Sequence, residues 1–236
     1  MAVFDAHLHV VDPRFPLVAN DGFVPAPFSV DDYRARVAGL DVRGGAVVAG
    51  SFHGTDPRWL LDALARLGEG FVGVAQLPAD AGDEEILALD RAGVRALRFT
   101  LRRGGRLDER LARRAWELAG WHTELYVDAR ELPDVALPAV VVDHLGLSRA
   151  GLPALLAAVE RGWRVKATGF SRGDLDVPAA LRAIAAVDPG ALLFGTDLPG
   201  TRAPEPFRDA DLDLVRDIAG ERALWDNAAA VYRVGS

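Results

Sequence analysis

The segment Asp5-Ala6-His7-Leu8-His9 ends a short apolar run near the start of the chain. In an extended strand, side chains at positions i and i+2 point the same way, so His7 and His9 present two imidazoles on one face. Such a pair can chelate a metal or polarise one carbonyl oxygen. Only five histidines occur in 236 residues, and two of them form this pair. Other reactive types recur at the ends of later apolar runs. These are His53-Gly54-Thr55-Asp56, Arg98 with Arg102 and Arg103 beyond it, and Tyr126 with Asp128. Asp143-His144-Leu145-Gly146, Lys166 with Ser171-Arg172 beyond it, and Gly195-Thr196-Asp197 follow. A carboxylate at Asp197, facing His7 and His9, is of the type that takes a proton from water. Each group also has a plain structural use. Asp56 suits a helix cap, Asp197 could cap the turn-like Leu198-Pro199-Gly200, and His122 at the near edge of its run reads as structural. Alternation along the strand turns Asp143 away from His144, which places it outside the site.

The elements that must position these groups alternate regularly. Strands are expected at Val3–Val10, Ala46–Phe52, Phe71–Leu77, Ala96–Leu101, Thr123–Asp128, Ala139–His144, Arg164–Phe170 and Leu192–Thr196. Several are almost continuously apolar, as fully buried parallel strands are. Helical patterns lie between them: Val30–Leu40 after a Ser29 cap, Pro57–Leu67 after Asp56, Asp83–Ala92, Asp108–Gly120, Leu152–Arg161, Pro178–Val187 and Asp209–Ala219. The short link after strand five, ending at Pro133, leaves no room for a full helix, and Asn227–Tyr232 closes the chain. Eight strands with interposed helices predict a (β/α)8 TIM barrel spanning 1–236 as one α/β domain. The rival, an open doubly wound sheet, calls for a glycine-rich phosphate loop after the first strand, and none is present. Active sites of such barrels form at the C-terminal ends of the strands, where four of the five histidines fall. The Pro-rich segment 12–29 reads as either an entrance lid or a plain surface loop.

Composition narrows the classes further. Half the residues are hydrophobic and the net charge is -7. No basic run with interleaved aromatics occurs, so nucleic acid is not an expected partner. No apolar stretch reaches the ~20 residues of a membrane span, and no signal-peptide pattern precedes the first strand. Cysteine is absent, which excludes disulfides and thiolate chemistry and suits a cytoplasmic enzyme. Lys166 is the only lysine.

Taken in order, Phe4-Asp5-Ala6-His7-Leu8-His9, Gly54-Thr55-Asp56, Ala92–Phe99, Val142–Gly146, Val165–Gly169, Phe194–Pro199 and Asp226–Ala229 resemble the amidohydrolase superfamily. Within it they are similar to the branch holding 2-pyrone-4,6-dicarboxylate lactonases and sugar-lactone hydrolases. The resemblance implies a distorted barrel and hydrolysis of a lactone or related ester or amide of a small molecule. It makes Asp197 the general base and His7, His9 and His144 the groups that polarise the carbonyl. It makes Arg98, Arg172 and Tyr126 substrate contacts, and His53 stands among the same strand-end candidates. Two departures stand out: Leu147 follows Gly146 where the lactonases carry an arginine, and Arg102 and Arg103 are offset from the second strand-four arginine. The resemblance implies a site without a cofactor. The alternative is a mononuclear Zn2+ on His7, His9 and Asp197, with or without His144, serving an amidohydrolase or decarboxylase. A third reading is a non-catalytic small-molecule binder. The oligomeric state is left open.

Overall fold

Runs rich in Val, Leu and Ala need both faces covered, and a closed parallel barrel inside a ring of helices provides that. The computed structural model describes residues 2–235. Its strands are β1 (Val3–Leu8), β2 (Val42–Val48), β3 (Phe71–Ala75), β4 (Val94–Phe99), β5 (His122–Leu125), β6 (Val140–Val142), β7 (Arg164–Ala167) and β8 (Leu192–Phe194). They pair in parallel in chain order, each with its successor. Between β8 and β1 the ladder gives way to a seam. There Asp197 N donates to His7 O at 2.7 Å and His9 N to Leu198 O at 2.8 Å. Asp5 fastens the same seam, accepting from Thr196 N at 2.8 Å and Thr196 Oγ1 at 2.6 Å. The architecture is a (β/α)8 barrel.

The helices are α1 (Val30–Val37), α2 (Arg58–Leu67), α3 (Asp83–Arg91), α4 (Glu109–Ala119), α5 (Leu152–Glu160), α6 (Val177–Val187), α7 (Asp209–Ala219) and α8 (Asp226–Tyr232). Ser29 and Asp32 form a reciprocal cap on α1, and Asp108 and Asp176 cap α4 and α6. Asp56 does not cap α2. Pro57 occupies that position, and the Asp56 carboxylate accepts from Arg58 N instead. After β5 there is only a 3-10 turn, Ala129–Glu131.

Most strands end two or more residues earlier than the apolar runs do. The mouth residues sit on irregular backbone, with His144 at φ 51° and Asp197 at φ 59°. At the opposite end α8 plugs the barrel. Tyr232 stacks on Phe4 at 5.3 Å, within a cluster holding Val48, Val74, Val141 and Leu193. Segment 12–29 lies over the C-terminal mouth: Val11 pairs with Phe28, Val18 N donates to Phe52 O at 2.9 Å, and Arg202 holds the tip at Asn20 and lies 4.3 Å over Phe23. Among the described residues no helix is long and apolar enough to cross a membrane.

Candidate active site

The β1–β2 register shifts between Asp5 and Leu8. Phe4 and Ala6 face the inner cluster, whereas Asp5 turns outward to Tyr33 Oη at 2.9 Å. The irregularity brings His7 inward, so two successive side chains share the interior before His9 follows. His7 Nε2 then lies 3.3 Å from His9 Nε2. His9 Nδ1 is 2.7 Å from Val48 O. A carbonyl only accepts, so the neutral ring carries its proton on Nδ1 and a lone pair on Nε2. The His144 ring stands 4.8 Å from that of His7. Gly169 makes room for it: a Cβ there would meet His144 Nδ1 at 2.5 Å, and its φ is 61°.

Asp197 completes the group. Its Oδ2 accepts from Arg172 Nε at 2.6 Å. Its Oδ1 lies 3.8 Å from His7 Nε2 and 3.9 Å from His9 Nε2, buried and without a hydrogen-bond partner among the described residues. Burial pushes the carboxyl above its ordinary value, against the pull of Arg172. Burial also holds His7, His9 and His144 well below the ordinary imidazole range, so all three are neutral near pH 7.

The remaining sequence candidates divide. Arg98, Tyr126, Arg172, His9 and His144 line one cavity at the mouth. Arg98 is largely engaged by the protein: Nε donates to Asp143 Oδ2 at 2.9 Å and Nη1 to Ala49 O at 2.7 Å. Arg172 likewise serves Asp197 and Thr201 O. His53 does not reach the cavity and is corrected from substrate contact to support. Its Nδ1 accepts from Gly50 N at 2.9 Å, its Nε2 donates to Val10 O at 2.9 Å, and its ring stacks on Trp59 at 3.6 Å. Asp143 is the second correction. β6 stops at Val142 and His144 takes a positive φ, which breaks the alternation. Asp143 therefore also faces inward, fully buried, 3.3 Å from His7 Nδ1.

Two cavity cations were missed as site residues. The Arg103 guanidinium stands 5.9 Å over the Tyr126 ring and has no ion pair among the described residues. Arg202 comes from the loop after β8, where no local pattern marks it. Phe23 of segment 12–29 lines the same cavity, so the segment is a cover.

Beneath the histidines lies a layer of buried charge. Lys166 Nζ donates to Glu124 Oε2 at 2.5 Å and stands 3.4 Å from Asp143 Oδ1. Tyr232 Oη donates to Glu124 Oε1 at 2.5 Å, and His122 Nε2 lies 3.2 Å from the same oxygen. Two carboxylates, Glu124 and Asp143, balance two cations, Lys166 and Arg98. That balance is what a dry interior requires.

Nε2 of His7, Nε2 of His9 and Oδ1 of Asp197 are separated by 3.3, 3.8 and 3.9 Å. A tetrahedral zinc with bonds of about 2.0–2.1 Å has ligand edges of about 3.4 Å. His144, His7 and Asp197 are also close enough to share an ion. The donors fit zinc in spacing and type, provided that His7 carries its proton on Nδ1, facing Asp143 Oδ1.

The profile of the amidohydrolase family matches residues 4–234. A 4-sulfomuconolactone hydrolase of Rhizobium radiobacter is 28% identical over 98% of this chain and 90% of its own length. A 2-pyrone-4,6-dicarboxylate hydrolase of Comamonas testosteroni is 34% identical over 60% of this chain and 51% of its own. The crystal structure of an Agrobacterium tumefaciens protein in its apo form superposes with a TM-score of 0.86 at 25% identity, covering 99% of this chain and 96% of that one. The match runs through every strand that carries a mouth residue, from His7 on β1 to Asp197 beyond β8. The chain therefore belongs to the amidohydrolase family of hydrolytic enzymes.

Proposed function

We propose that the protein opens a lactone ring of a small anionic molecule by attack of a water that Asp197 activates. The observation that carries this reading is the buried Oδ1 of Asp197, without a hydrogen-bond partner among the described residues and beside two imidazoles, while Arg172 holds its other oxygen. Its desolvation strengthens it as a base. Water would give its proton to Oδ1 as its oxygen bonds the ring carbonyl carbon. The oxyanion so formed would sit against His7 and His144, neutral donors already oriented in a dry pocket. Collapse breaks the ring C–O bond, and the proton held on Asp197 passes to the departing alkoxide. The product is a hydroxy acid.

The names of the two curated relatives, both lactone hydrolases, support this substrate class. For the substrate's anionic group we assign Arg103 and Arg202, because Arg98 and Arg172 are committed to Asp143 and Asp197. Asp197→Asn is expected to lower kcat on a lactone panel by about 10²–10⁴ with the fold intact. Activity within tenfold of the parent would overturn the assignment of the base.

The zinc alternative rests on the 3.3–3.9 Å donor spacing. Bound there by His7, His9 and Asp197, zinc would polarise the carbonyl and acidify water. Stoichiometric zinc in protein purified without added metal, with activity lost on chelation, would favour that reading over ours.

A further inference from the structure

We infer that segment 12–29 is a moving lid and that its tip, Asn20 to Phe23, must lift before a lactone can reach Asp197. The proposal rests on the lactonase reading for the size of what must enter. With the tip down, the cavity bounded by His9, His144, Arg172, Phe23 and Arg202 measures about 30 Å³. That is room for one or two waters. Sites for small organic molecules run to roughly 300–1,000 Å³. The barrel side of the cavity is fastened: His9 is bonded to Val48 O, Arg98 to Asp143 and Arg172 to Asp197. The space must therefore come from the outer side, where Phe23 and the tip lie.

The tip is built to move as one piece. Asn20 N donates to Phe23 O at 3.2 Å and Phe23 N to Asn20 O at 3.0 Å, with Asp21 at φ 50° and Gly22 at φ 71° between them. This is a two-residue hairpin turn, closed by its own bonds. At the base, Val11 N donates to Phe28 O at 2.7 Å and Phe28 N to Val11 O at 2.8 Å. That pair ties the segment between the end of β1 and the Ser29 cap of α1. The hold on the tip is lighter. Val18 N donates to Phe52 O, Ser51 Oγ to Asn20 Oδ1 at 3.2 Å, and Arg202 to Asn20 O. Val18 and Val24 are 56% and 51% exposed, so apolar packing adds little. Swinging about the Val11–Phe28 pair, the hairpin withdraws Phe23 from the mouth without breaking a strand pairing of the barrel. Lid motions of this kind run on the μs–ms scale.

Amide hydrogen exchange tests the motion without a substrate. Read residue by residue, it is expected to show Val18 N–H exchanging about 100-fold faster than Val11 and Phe28 N–H, because the tip opens without the base. A Val18 amide as slow as those two overturns the lid. A reversible lock tests the need for opening. The chain has no cysteine, so Asn20→Cys/Ser51→Cys carries only the two thiols, which meet with the tip down. Oxidised, this variant is expected to lose lactone turnover about 100-fold or more and to slow Val18 exchange at least tenfold, and a thiol reductant restores both. Turnover that is equal in the oxidised and reduced forms, with the disulfide shown closed by mass, overturns the proposal. Where that pair fails to fold or to oxidise, Val18→Cys/Gly54→Cys takes its place, since a Cβ at Gly54 lies 3.3 Å from Val18 Cγ2. A parent that opens no lactone yet exchanges Val18 N–H rapidly overturns the lactonase reading and leaves the lid standing. An active lactonase that works equally well when locked does the opposite.

Discussion

His53 offers a quantitative test of the site's boundary, because its stability linkage can be worked from its surroundings. Its ring accepts from Gly50 N, donates to Val10 O and lies parallel to Trp59, with an interplanar angle of 8°. No place is left for a second proton, and burial lowers its pKa from 6.5 to about 3. A histidine held neutral contributes stability that is fully present above pH 6.5 and is lost as pH falls toward 3. Each pH unit in that window costs about 1.4 kcal/mol, with a ceiling near 5 kcal/mol. His53→Gln keeps one acceptor and one donor but loses the stack and the fitted geometry, a cost of about 2–3 kcal/mol at pH 8. Glutamine does not titrate, so the gap between parent and variant should narrow by about 2 kcal/mol between pH 8 and pH 5. Denaturant unfolding at four pH values in this range measures it, with kcat/KM of the folded variant determined alongside. A gap independent of pH refutes the linkage. A raised KM with unchanged stability would return His53 to the substrate-binding set.

Three further outcomes follow from the geometry. Gly169→Ala places a methyl within 2.5 Å of His144 Nδ1 and 2.9 Å of Arg172 Cδ, so kcat/KM should fall at least tenfold; unchanged kinetics would remove His144 from the reaction. Arg202→Ala and Arg103→Ala should each raise KM about tenfold for carboxylated or sulfonated lactones and leave neutral lactones unaffected, and an equal effect on both classes would refute the anion assignment. Asp5 is buried with its pKa raised to about 6. Its contribution is therefore present below pH 4 and lost as pH rises toward 6, so Asp5→Asn should flatten that part of the pH–stability curve by about one proton; an unchanged slope there would refute it.

The barrel was legible because each strand had to be apolar on both faces, and the helix caps at Ser29, Asp108 and Asp176 are local signals. The position of His7 beside His9 was legible for the same reason that Asp143 was not. Both arguments used strand alternation, and the backbone breaks it at β1 and again after Val142. Neither break leaves a mark in residue type. His53 looked reactive because it ends a strand run, yet its partners are backbone atoms of Gly50 and Val10, which sequence does not display. The Lys166–Glu124 pair joins residues 42 apart, and Arg202 reaches the cavity from a loop whose course depends on the whole mouth.

The seam has a consequence for how activity is acquired. Asp197 N bonds His7 O across it, and Asp5 bonds Thr196 from 191 residues away. Asp197 and the imidazoles therefore meet only when β8 closes the ring onto β1. A chain that has emerged from the ribosome only as far as β7 carries the histidines without Asp197. Loop closure over such a span is entropically expensive and belongs late in folding. Catalytic competence should thus appear with the final cooperative step and vanish with the first opening of the β1–β8 edge, which makes turnover a more sensitive gauge of barrel closure than helix content.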